Sequence, residues 1–374
     1  MSPPQIAVIG LGATGRAALY QLVRRGIRAV GIEQFALDHD RGSSHGATRV
    51  IRMVHFENPS YSVLMERGYA LWHDLEKASK RQLLHLTGVI EIGSPSGALI
   101  RGTLAGETRG LAREQLDAQA VMRRYPAFHL PDAFVGVLQP DGGFIEAAAA
   151  LSAMIDLAKA HGAEILTGTK VSEVTPNATG VHIKTSRGDI AAAGAIIAAG
   201  PWMRRLLPDL KLPLTVTRQV VGWFQPRDPA LFAAGRFPAF IMETPHGNHY
   251  GFPLYGDSGV KIAKHHHHNE PVDPDSYDRV VRATDEAAIR APLFQYLPEA
   301  NGPLQSAEAC LYTMTPDDTF IIDRMPGYPQ IVVASPCCGH GFKFSPVVGE
   351  ILADLVTRGT TAHDISRFRL PRFA

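Results

Sequence analysis

Apolar positions near the start of the chain follow a strand, helix, strand pattern. Residues 6–9 (IAVI) form an apolar run without polar alternation, which is typical of a strand buried on both faces of a parallel sheet. A glycine-rich turn follows at 10–15, and apolar residues then recur at helical spacing from Arg16 until Gly26. Residues 29–32 form a second apolar strand, which ends at Glu33. The pattern predicts a complete β-α-β unit.

Longer helices and short strands are predicted further along the chain. Helices are expected over 59–78, 144–160 and about 345–356. Strands are expected over 88–92, 165–166, 181–183, 195–199, 214–224, 250–253, 259–263, 320–322 and 331–334. The middle of the chain is therefore β-rich, and its end returns to strands and a helix. This order favours an α/β fold in which a nucleotide-binding domain is interrupted by an inserted substrate domain.

Composition limits the classes of partner. The chain has 374 residues, enough for two or three domains, with 45% hydrophobic and 20% charged residues. The net charge of +1 shows no excess of basic residues of the kind that binds nucleic acid or an anionic membrane. Three cysteines, Cys310, Cys337 and Cys338, form no disulfide framework. Without a signal-peptide pattern or a membrane span, a cytoplasmic protein is expected.

The glycines of the first turn indicate a dinucleotide site. Gly10 permits the tight turn, Gly12 lets the backbone approach a pyrophosphate, and Gly15 lets the helix pack closely on the strand. Glu33 is placed to accept hydrogen bonds from a ribose, and its charge disfavours a 2′-phosphate. The expected ligand is therefore NAD or FAD rather than NADP. The alternative is a glycine-rich turn that binds no nucleotide.

Four further segments carry candidate chemistry. They are 42–52 (GSSHGATRVIR), 259–265 (GVKIAKH), 309–313 (ACLYT) and 339–344 (GHGFKF). In an extended segment Arg49 and Arg52 point to opposite faces, so one arginine is available to a cofactor and the other to a substrate carboxylate. The residues alone also fit solvated arginines and lysines and a buried apolar cysteine.

Together with the N-terminal unit, these segments resemble the monomeric sarcosine oxidase and N-methyltryptophan oxidase family, FAD-dependent amine oxidases of the D-amino acid oxidase-like superfamily. The resemblance runs over nearly the whole chain. It implies a Rossmann-like FAD-binding domain over 1–83, 141–213 and 322–374. It also implies an inserted α+β substrate domain over 84–140 and 214–321, built on a mostly antiparallel sheet, and a monomer.

The resemblance implies the FAD contacts. Those expected are Gly10, Gly12, Gly15, Glu33, Ser43, His45, Arg49, Val171, Gly200, Cys310, Gly339, Gly341 and Lys343. The family's matching cysteine forms a thioether with the 8α carbon of the flavin, so covalent FAD is expected at Cys310. At the expected Gly200 contact, Pro201 departs from the family pattern and removes one backbone N–H that could bond to the cofactor.

The resemblance also implies the active-site roles. Lys261 matches the family's oxygen-activating lysine, while Arg49, His265 and Tyr312 match active-site residues. Arg52 and Lys343 match the pair that binds the substrate carboxylate. The histidine run continues past the family pattern at 266–268, where a solvated loop is expected and no metal site.

The implied reaction is oxidation of an N-methyl C–N bond to an imine, with O2 reduced to H2O2 and with formaldehyde and a primary amino acid as products. N-methyl-L-tryptophan or another bulky or cyclic secondary amino acid is an alternative substrate. A non-covalent FAD- or NAD-dependent dehydrogenase is an alternative of another type, and a nucleotide-binding module without catalysis is a third.

Overall fold

The computed structural model describes residues 5–58, 60–105, 112–256 and 258–373. The strands within these ranges are, in chain order, β1 Ile6–Ile9, β2 Ala29–Ile32, β3 Thr48–Ile51, β4 Leu84–His85, β5 Val89–Gly93, β6 Glu114–Asp117, β7 Val135–Gln139, β8 Gly143–Glu146, β9 Glu164–Leu166, β10 Val171–Asn177, β11 Gly180–Thr185, β12 Ile190–Ala192, β13 Gly194–Ile197, β14 Thr215–Phe224, β15 Ala239–Thr244, β16 Gly247–Gly251, β17 Val260–Lys264, β18 Leu304–Met314, β19 Ile321–Met325 and β20 Tyr328–Ser335.

The α-helices of the same ranges are fewer. They are α1 Ala13–Val23, α2 Ser60–Ser79, α3 Ala98–Ala105, α4 Ala118–Arg124, α5 Ala147–Ala160, α6 Met203–Leu206, α7 Ala283–Arg290, α8 Leu293–Tyr296 and α9 Ser345–Arg358. No helix in the described part of the chain is long and apolar enough to cross a membrane.

The first sheet has six strands in the order β19-β20-β13-β1-β2-β9, parallel except for the β19–β20 pair. Its central strand β1 shows why the run is apolar throughout. Ile6 and Val8 pack into one hydrophobic cluster, with α1, α5 and α9, while Ala7 and Ile9 pack into another on the opposite face, with β11. Because side chains alternate along a strand, a strand covered on both faces needs apolar residues at every position.

The second large sheet has eight strands in the order β18-β14-β17-β16-β15-β5-β7-β6. Every neighbouring pair is antiparallel except β15 with β5. Two three-stranded sheets, β10-β11-β12 and β3-β8-β4, complete the architecture. The predicted fold class is confirmed: a parallel nucleotide-type sheet and a mostly antiparallel sheet belong to one α/β chain.

Several predicted elements have different limits. The predicted helix over 144–160 begins only at Ala147, because Phe144 to Glu146 lie in β8, which pairs with β3. The predicted start of the second helix at Pro59 lies outside the described residues, and the helix is seen from Ser60. The long strand β18, which carries Cys310, was not predicted as a strand.

Candidate active site

The turn between β1 and α1 has backbone geometry that needs glycine at two positions. Gly10 has φ +88°, and a Cβ there would lie 2.5 Å from the carbonyl oxygen of Ala198. A Cβ on Gly15 would lie 1.8 Å from the carbonyl oxygen of Gly10. Both positions therefore exclude other residues. Helix α1 begins at Ala13 with no acidic side chain in its first turn, so its N-terminus favours an anion.

Glu33, at the end of β2, is fixed by the backbone. Its Oε2 accepts a hydrogen bond from Leu11 N at 2.8 Å and its Oε1 accepts one from Phe35 N at 3.1 Å. The side chain is buried beside the glycine turn. A carboxylate held in this way keeps further lone pairs for the hydroxyls of a ribose.

The antiparallel sheet presents a second group of residues. In its register Trp223 lies opposite Lys261, and Val221 lies opposite Glu308. Because side chains alternate along strands, Trp223, Lys261, Cys310 and Tyr312 share one face of the sheet. That face is the wall of a large cavity.

Lys261 is buried in this wall. Its Nζ donates to the carbonyl oxygen of Thr48 at 3.1 Å and lies 5.3 Å from the ring centre of Trp223 and 5.1 Å from that of Phe252. Burial, together with the charge of Arg49, lowers the pKa of Lys261 to about 7. The ammonium is thus held by a carbonyl and two aromatic faces rather than by a carboxylate.

Arg49 is fixed close to it. Its guanidinium donates to the carbonyl oxygens of Ser43, His45 and Thr48 and lies 5.6 Å from the ring centre of Phe342. The loop over 43–46 therefore wraps around a charged side chain instead of remaining solvated. Arg49 lines the same cavity as Lys261.

The two predicted carboxylate-binding cations differ in their partners. Arg52 Nη2 donates to both oxygens of Glu57, at 2.7 and 2.8 Å, and Nη1 donates to Val54 O at 2.7 Å. Lys343 Nζ donates to His340 O at 2.7 Å. Burial, together with the charge of Arg52, lowers the pKa of Lys343 to about 7. Both cations line the cavity.

His265 and Tyr312 lie side by side, with Tyr312 Oη 3.5 Å from His265 Nδ1. Burial lowers the pKa of His265 to about 3 and raises that of Tyr312 well above its usual value. Both side chains are therefore neutral near pH 7 and form an uncharged part of the cavity wall.

The histidine run is not the solvated loop that was expected. His267 is buried, and its Nε2 lies 2.8 Å from Asp285 Oδ1. Asp285 also accepts two hydrogen bonds from Arg218, at 2.8 and 2.9 Å. The ligand atoms of His267, His268 and Asp285 lie within 4.8 Å of one another, but the arginine already neutralises the carboxylate.

The remaining predicted cofactor residues lie on loops around the cavity. Gly339 has φ +73°, and a Cβ on Gly341 would lie 1.5 Å from Pro336 O, so this loop is closed tightly before α9. Gly200 has φ +52° with nothing within 4 Å of its Cβ position. Val171 also lines the cavity.

One cavity of about 480 Å³ brings the two groups together. It is lined by every predicted site residue except Gly15, which packs inside the turn. Ser43 Oγ, His45 Nε2 and His340 Nε2 belong to residues that line it and are buried, and they have no hydrogen-bond partner among the residues that the structure describes. Buried polar atoms of this kind require partners. A glycine turn at one end and unpartnered polar atoms along the wall fit a dinucleotide cofactor.

The profile of the family described as FAD dependent oxidoreductase matches residues 5–355. The chain belongs to this family. It is 38% identical over 375 residues to monomeric sarcosine oxidase of Bacillus sp. (strain NS-129), covering 99% of this chain and 97% of that protein. It is 35% identical over 372 residues to N-methyl-L-tryptophan oxidase of Salmonella dublin, covering 99% of each.

Solved structures agree with the family fold. The open form of NikD, an unusual amino acid oxidase essential for nikkomycin biosynthesis, superposes with a TM-score of 0.86 at 28% identity, covering 98% of this chain and 97% of that chain. Glycine oxidase from Geobacillus kaustophilus superposes with a TM-score of 0.80 at 20% identity, covering 98% of each chain, a likeness of fold alone.

Sequence reasoning missed three polar residues of the site in this FAD dependent oxidoreductase: Glu57, Glu91 and Tyr250. Glu57 carried no motif signal. Glu91 is a lone acidic residue in the apolar strand β5, and a charge at such a position is seldom buried without a partner. This pattern in the sequence could have identified Glu91 as a candidate site residue. Tyr250 lines the cavity from β16, where an aromatic residue in a strand is unremarkable in sequence.

Proposed function

We propose that this chain is an FAD-dependent oxidase of secondary, N-methyl amino acids. The observation that carries the proposal is the single cavity in which the glycine turn, Cys310, Lys261, Arg52 and Lys343 meet. The two curated relatives described above, a sarcosine oxidase and an N-methyl-L-tryptophan oxidase, support the same chemistry.

The chain holds the cofactor from both ends of the cavity. The N-terminus of α1 would hold the pyrophosphate, Glu33 would hold the adenosine ribose, and the loop around Gly339 would offer backbone N–H groups to the flavin. When bound there, FAD would supply a two-electron acceptor for the hydride equivalent that leaves the carbon beside the amine nitrogen, and would return these electrons to O2. Ser43, His45 and His340 would offer the cofactor polar atoms that lack partners in the described part of the chain.

Covalent attachment through a Cys310 thioether is part of the proposal. Cys310 lies on the cavity face of β18, and burial raises the pKa of its thiol. The charges of Arg49 and Lys261 act in the opposite direction and favour the thiolate, the reactive form of cysteine. Acid precipitation tests this: the wild-type pellet stays yellow, and the pellet of Cys310→Ala is colourless.

The substrate carboxylate binds between Arg52 and Lys343. Lys343 offers its remaining N–H groups, and Arg52 offers Nη2 once Glu57 has moved aside. His265 and Tyr312 form an uncharged wall. A wall without charge lowers the pKa of the substrate ammonium by desolvation and so favours the neutral amine, whose lone pair stabilises the carbon that becomes electron-poor.

Lys261 acts in the second half-reaction. In its protonated form, which prevails below its pKa of about 7, it places a positive charge in a buried site, where charge developing on oxygen is stabilised far more strongly than in water. A fixed cation beside the site of oxygen reduction favours an oxidase over a dehydrogenase. The products are then an imine, which hydrolyses to formaldehyde and a primary amino acid, and H2O2.

The remaining predictions belong to the same proposal. The FAD-binding domain comprises 1–83, 141–213 and 322–374, and the substrate domain comprises 84–140 and 214–321. The protein acts as a cytoplasmic monomer, as the name of the Bacillus relative suggests for its oligomeric state. The partners are a small N-methyl amino acid and O2.

A peroxide assay tests the function. Purified enzyme is incubated with sarcosine, N-methyl-alanine, N-methyl-tryptophan and pipecolate, and H2O2 and formaldehyde are measured. Peroxide with at least one of these amines, in step with formaldehyde for the N-methyl substrates, is expected. If the amines reduce the bound flavin but no peroxide forms in air, the dehydrogenase is the correct function.

A bulky substrate is the second candidate because the Salmonella relative is named for N-methyl-L-tryptophan. The same set of amines distinguishes a small substrate from a bulky one. A higher kcat/KM for sarcosine than for N-methyl-tryptophan supports the small substrate, and the reverse order supports the bulky one.

A further inference from the structure

Glu91 is a buried carboxylate on the substrate side of the cavity that the proposed chemistry does not use. It occupies the middle of β5 and is 0% exposed. The sheet register places it in one row of residues on the cavity face: Glu91, Ile241, Tyr250, Ala263, Val221 and Glu308. Glu91 thus points toward the active site from behind Arg52, not into the core on the other face of the sheet.

The contacts of Glu91 leave it poorly satisfied for a charged group. Oε2 accepts one hydrogen bond from Gln139 Nε2 at 3.1 Å, while the nearby Thr103 hydroxyl donates to Leu99 O. Oε1 lies 3.2 Å from Arg52 Nη1 but forms no hydrogen bond with it. Arg52 gives its better hydrogen bonds to Glu57 and Val54 O.

The charges around the proposed carboxylate site balance only when Lys343 is protonated and the substrate is absent. In that state Arg52 and Lys343 face Glu57 and Glu91, two positive groups against two negative ones. A bound substrate carboxylate makes three negative groups against two positive ones in a buried space. An uncompensated buried charge is strongly unfavourable, so a group in the cluster must change its protonation.

We propose that Glu91 makes binding of the substrate carboxylate proton-linked: a carboxylate that enters between Arg52 and Lys343 brings a proton into the cluster, and Glu91 holds that proton. This inference rests on the proposed function, because it takes the carboxylate site from it. It assigns Glu91 a role as a positioning residue that acts through Arg52.

Glu91 is better suited to this role than Glu57. Burial would raise the pKa of both, but Arg52 and its neighbours overcome the effect at Glu57 and hold its pKa well below the usual value. At Glu91 burial prevails over Arg52 and the pKa is raised. Glu91 is therefore protonated more readily than Glu57.

The other groups that face Glu91 do not replace it. Arg113 approaches from the segment before β6 and donates to the carbonyl oxygen of Thr103, so it remains a cation. His55 and His340 are neutral because burial lowers their pKa values. Lys343 is partly neutral near its pKa of about 7, so it can also take up a proton when a carboxylate binds, but at most one.

Calorimetry of a carboxylate without an amine tests the inference on the holoenzyme. The probe is methoxyacetate, which has the shape of sarcosine with an ether oxygen in place of the nitrogen. Titrations at several pH values from 6 to 8, each in two buffers of different protonation enthalpy, count the protons taken up. We expect the wild-type enzyme to take up more than one proton per methoxyacetate bound at pH 8. Glu91→Gln should take up about one proton fewer.

The controls separate the two proposals. Glu164→Gln, the same change at an exposed strand residue of β9, should take up as many protons as wild type. Equal uptake by Glu91→Gln and wild type overturns the inference but leaves the carboxylate site intact. Failure of wild type to bind methoxyacetate overturns the carboxylate site, and the inference with it. If Glu91→Gln does not fold, the wild-type count decides, because an uptake of one proton or less at every pH overturns the role of Glu91.

Discussion

Arg52 and Glu57 are joined by two charge-assisted hydrogen bonds, both from Nη2, at 2.7 and 2.8 Å. The guanidinium that matches a carboxylate-binding arginine is therefore already bound to a carboxylate of its own chain. Glu57 lines the cavity, whereas Val54 O and Glu91 lie on the Nη1 side of the guanidinium. A substrate carboxylate must therefore compete with Glu57 for Nη2.

Glu57→Gln should strengthen carboxylate binding. The amide keeps the shape of the side chain but removes the negative charge that competes for Arg52. The Kd of methoxyacetate should fall about tenfold, which corresponds to roughly 1.4 kcal/mol. Calorimetry at pH 7 measures it, with Glu66→Gln, an exposed position of α2, as the control. An unchanged or higher Kd means that Glu57 does not compete.

The pH dependence of flavin reduction and of substrate affinity should separate two titrations. The substrate reacts as the neutral amine, so the limiting rate of anaerobic flavin reduction should rise from pH 7 to pH 9. The anaerobic rate is measured because Lys261, whose pKa is also lowered to about 7, loses the charge proposed for the reaction with O2 over the same range. Lys343, with its pKa lowered to about 7, is charged below that pH and loses its charge above it. Carboxylate affinity should therefore decline above pH 7, and the Kd of the substrate should rise. Stopped-flow absorbance at several substrate concentrations over pH 6–9 measures both. A limiting rate that falls from pH 7 to pH 9 contradicts the first titration, and a falling Kd contradicts the second.

Sequence reasoning predicted the parts of the site that depend on local pattern. The β-α-β unit, its glycines and Glu33 were found because a tight turn and a fully covered strand leave characteristic residues. The pairing of Arg49 with the loop around Ser43 and the burial of Lys261 could not be read in this way. The burial of Lys261 depends on contact with Thr48, which is 213 residues away along the chain. The Arg49 contacts are local, but they depend on an irregular loop conformation that no periodic pattern predicts.

The predictions that failed share a cause. Phe144 to Glu146 were read as the start of an alanine-rich helix, yet pairing with β3 holds them in a strand. His267 was expected in solvent, yet Arg218 and Asp285 give it a buried partner. In both cases a tertiary contact overrides local propensity. The lone Glu91 in an apolar strand was a visible signal, but only the register shows which face it occupies.

Lys261→Met should slow reoxidation by O2 far more than reduction by substrate. Methionine keeps the length of the side chain and fills the space between Trp223 and Phe252, but it removes the positive charge. Loss of one preorganised electrostatic contact costs about 10²–10³-fold in rate. Stopped-flow absorbance measures both half-reactions, anaerobic bleaching by substrate and recovery of the yellow colour in oxygen.

The control for this experiment lies on the same strand. Lys264→Met removes a lysine three residues further along β17, which alternation places on the other face of the sheet. It should reoxidise at the wild-type rate. Equal loss in both half-reactions of Lys261→Met would assign Lys261 a structural role instead of a role in oxygen reduction.

Asp285→Asn should destabilise the fold more than any exposed ion-pair variant. Arg218 is buried. Its Nη1 and Nη2 donate hydrogen bonds to Asp285 Oδ1 and Oδ2 at 2.8 and 2.9 Å. Burial opposes the charge on Asp285, but Arg218, Arg282 N and His267 hold its pKa well below the usual value. Its contribution to stability is therefore present at neutral pH and is lost as the pH falls below its ordinary value of 3.8.

Removing this carboxylate leaves the Arg218 guanidinium charged without a counter-ion in a buried site. The free energy of unfolding at pH 7 should decrease by about 3–5 kcal/mol, measured by urea titration of the holoenzyme. Asp156→Asn breaks the exposed ion pair with Arg81 and should leave the urea midpoint unchanged.

Replacing Arg218 by Met in the Asp285→Asn background should recover part of the lost stability, since no unpaired charge then remains. A double variant less stable than Asp285→Asn shows that the other hydrogen bonds of Arg218, to Asp278 O and Val280 O, matter more than its charge.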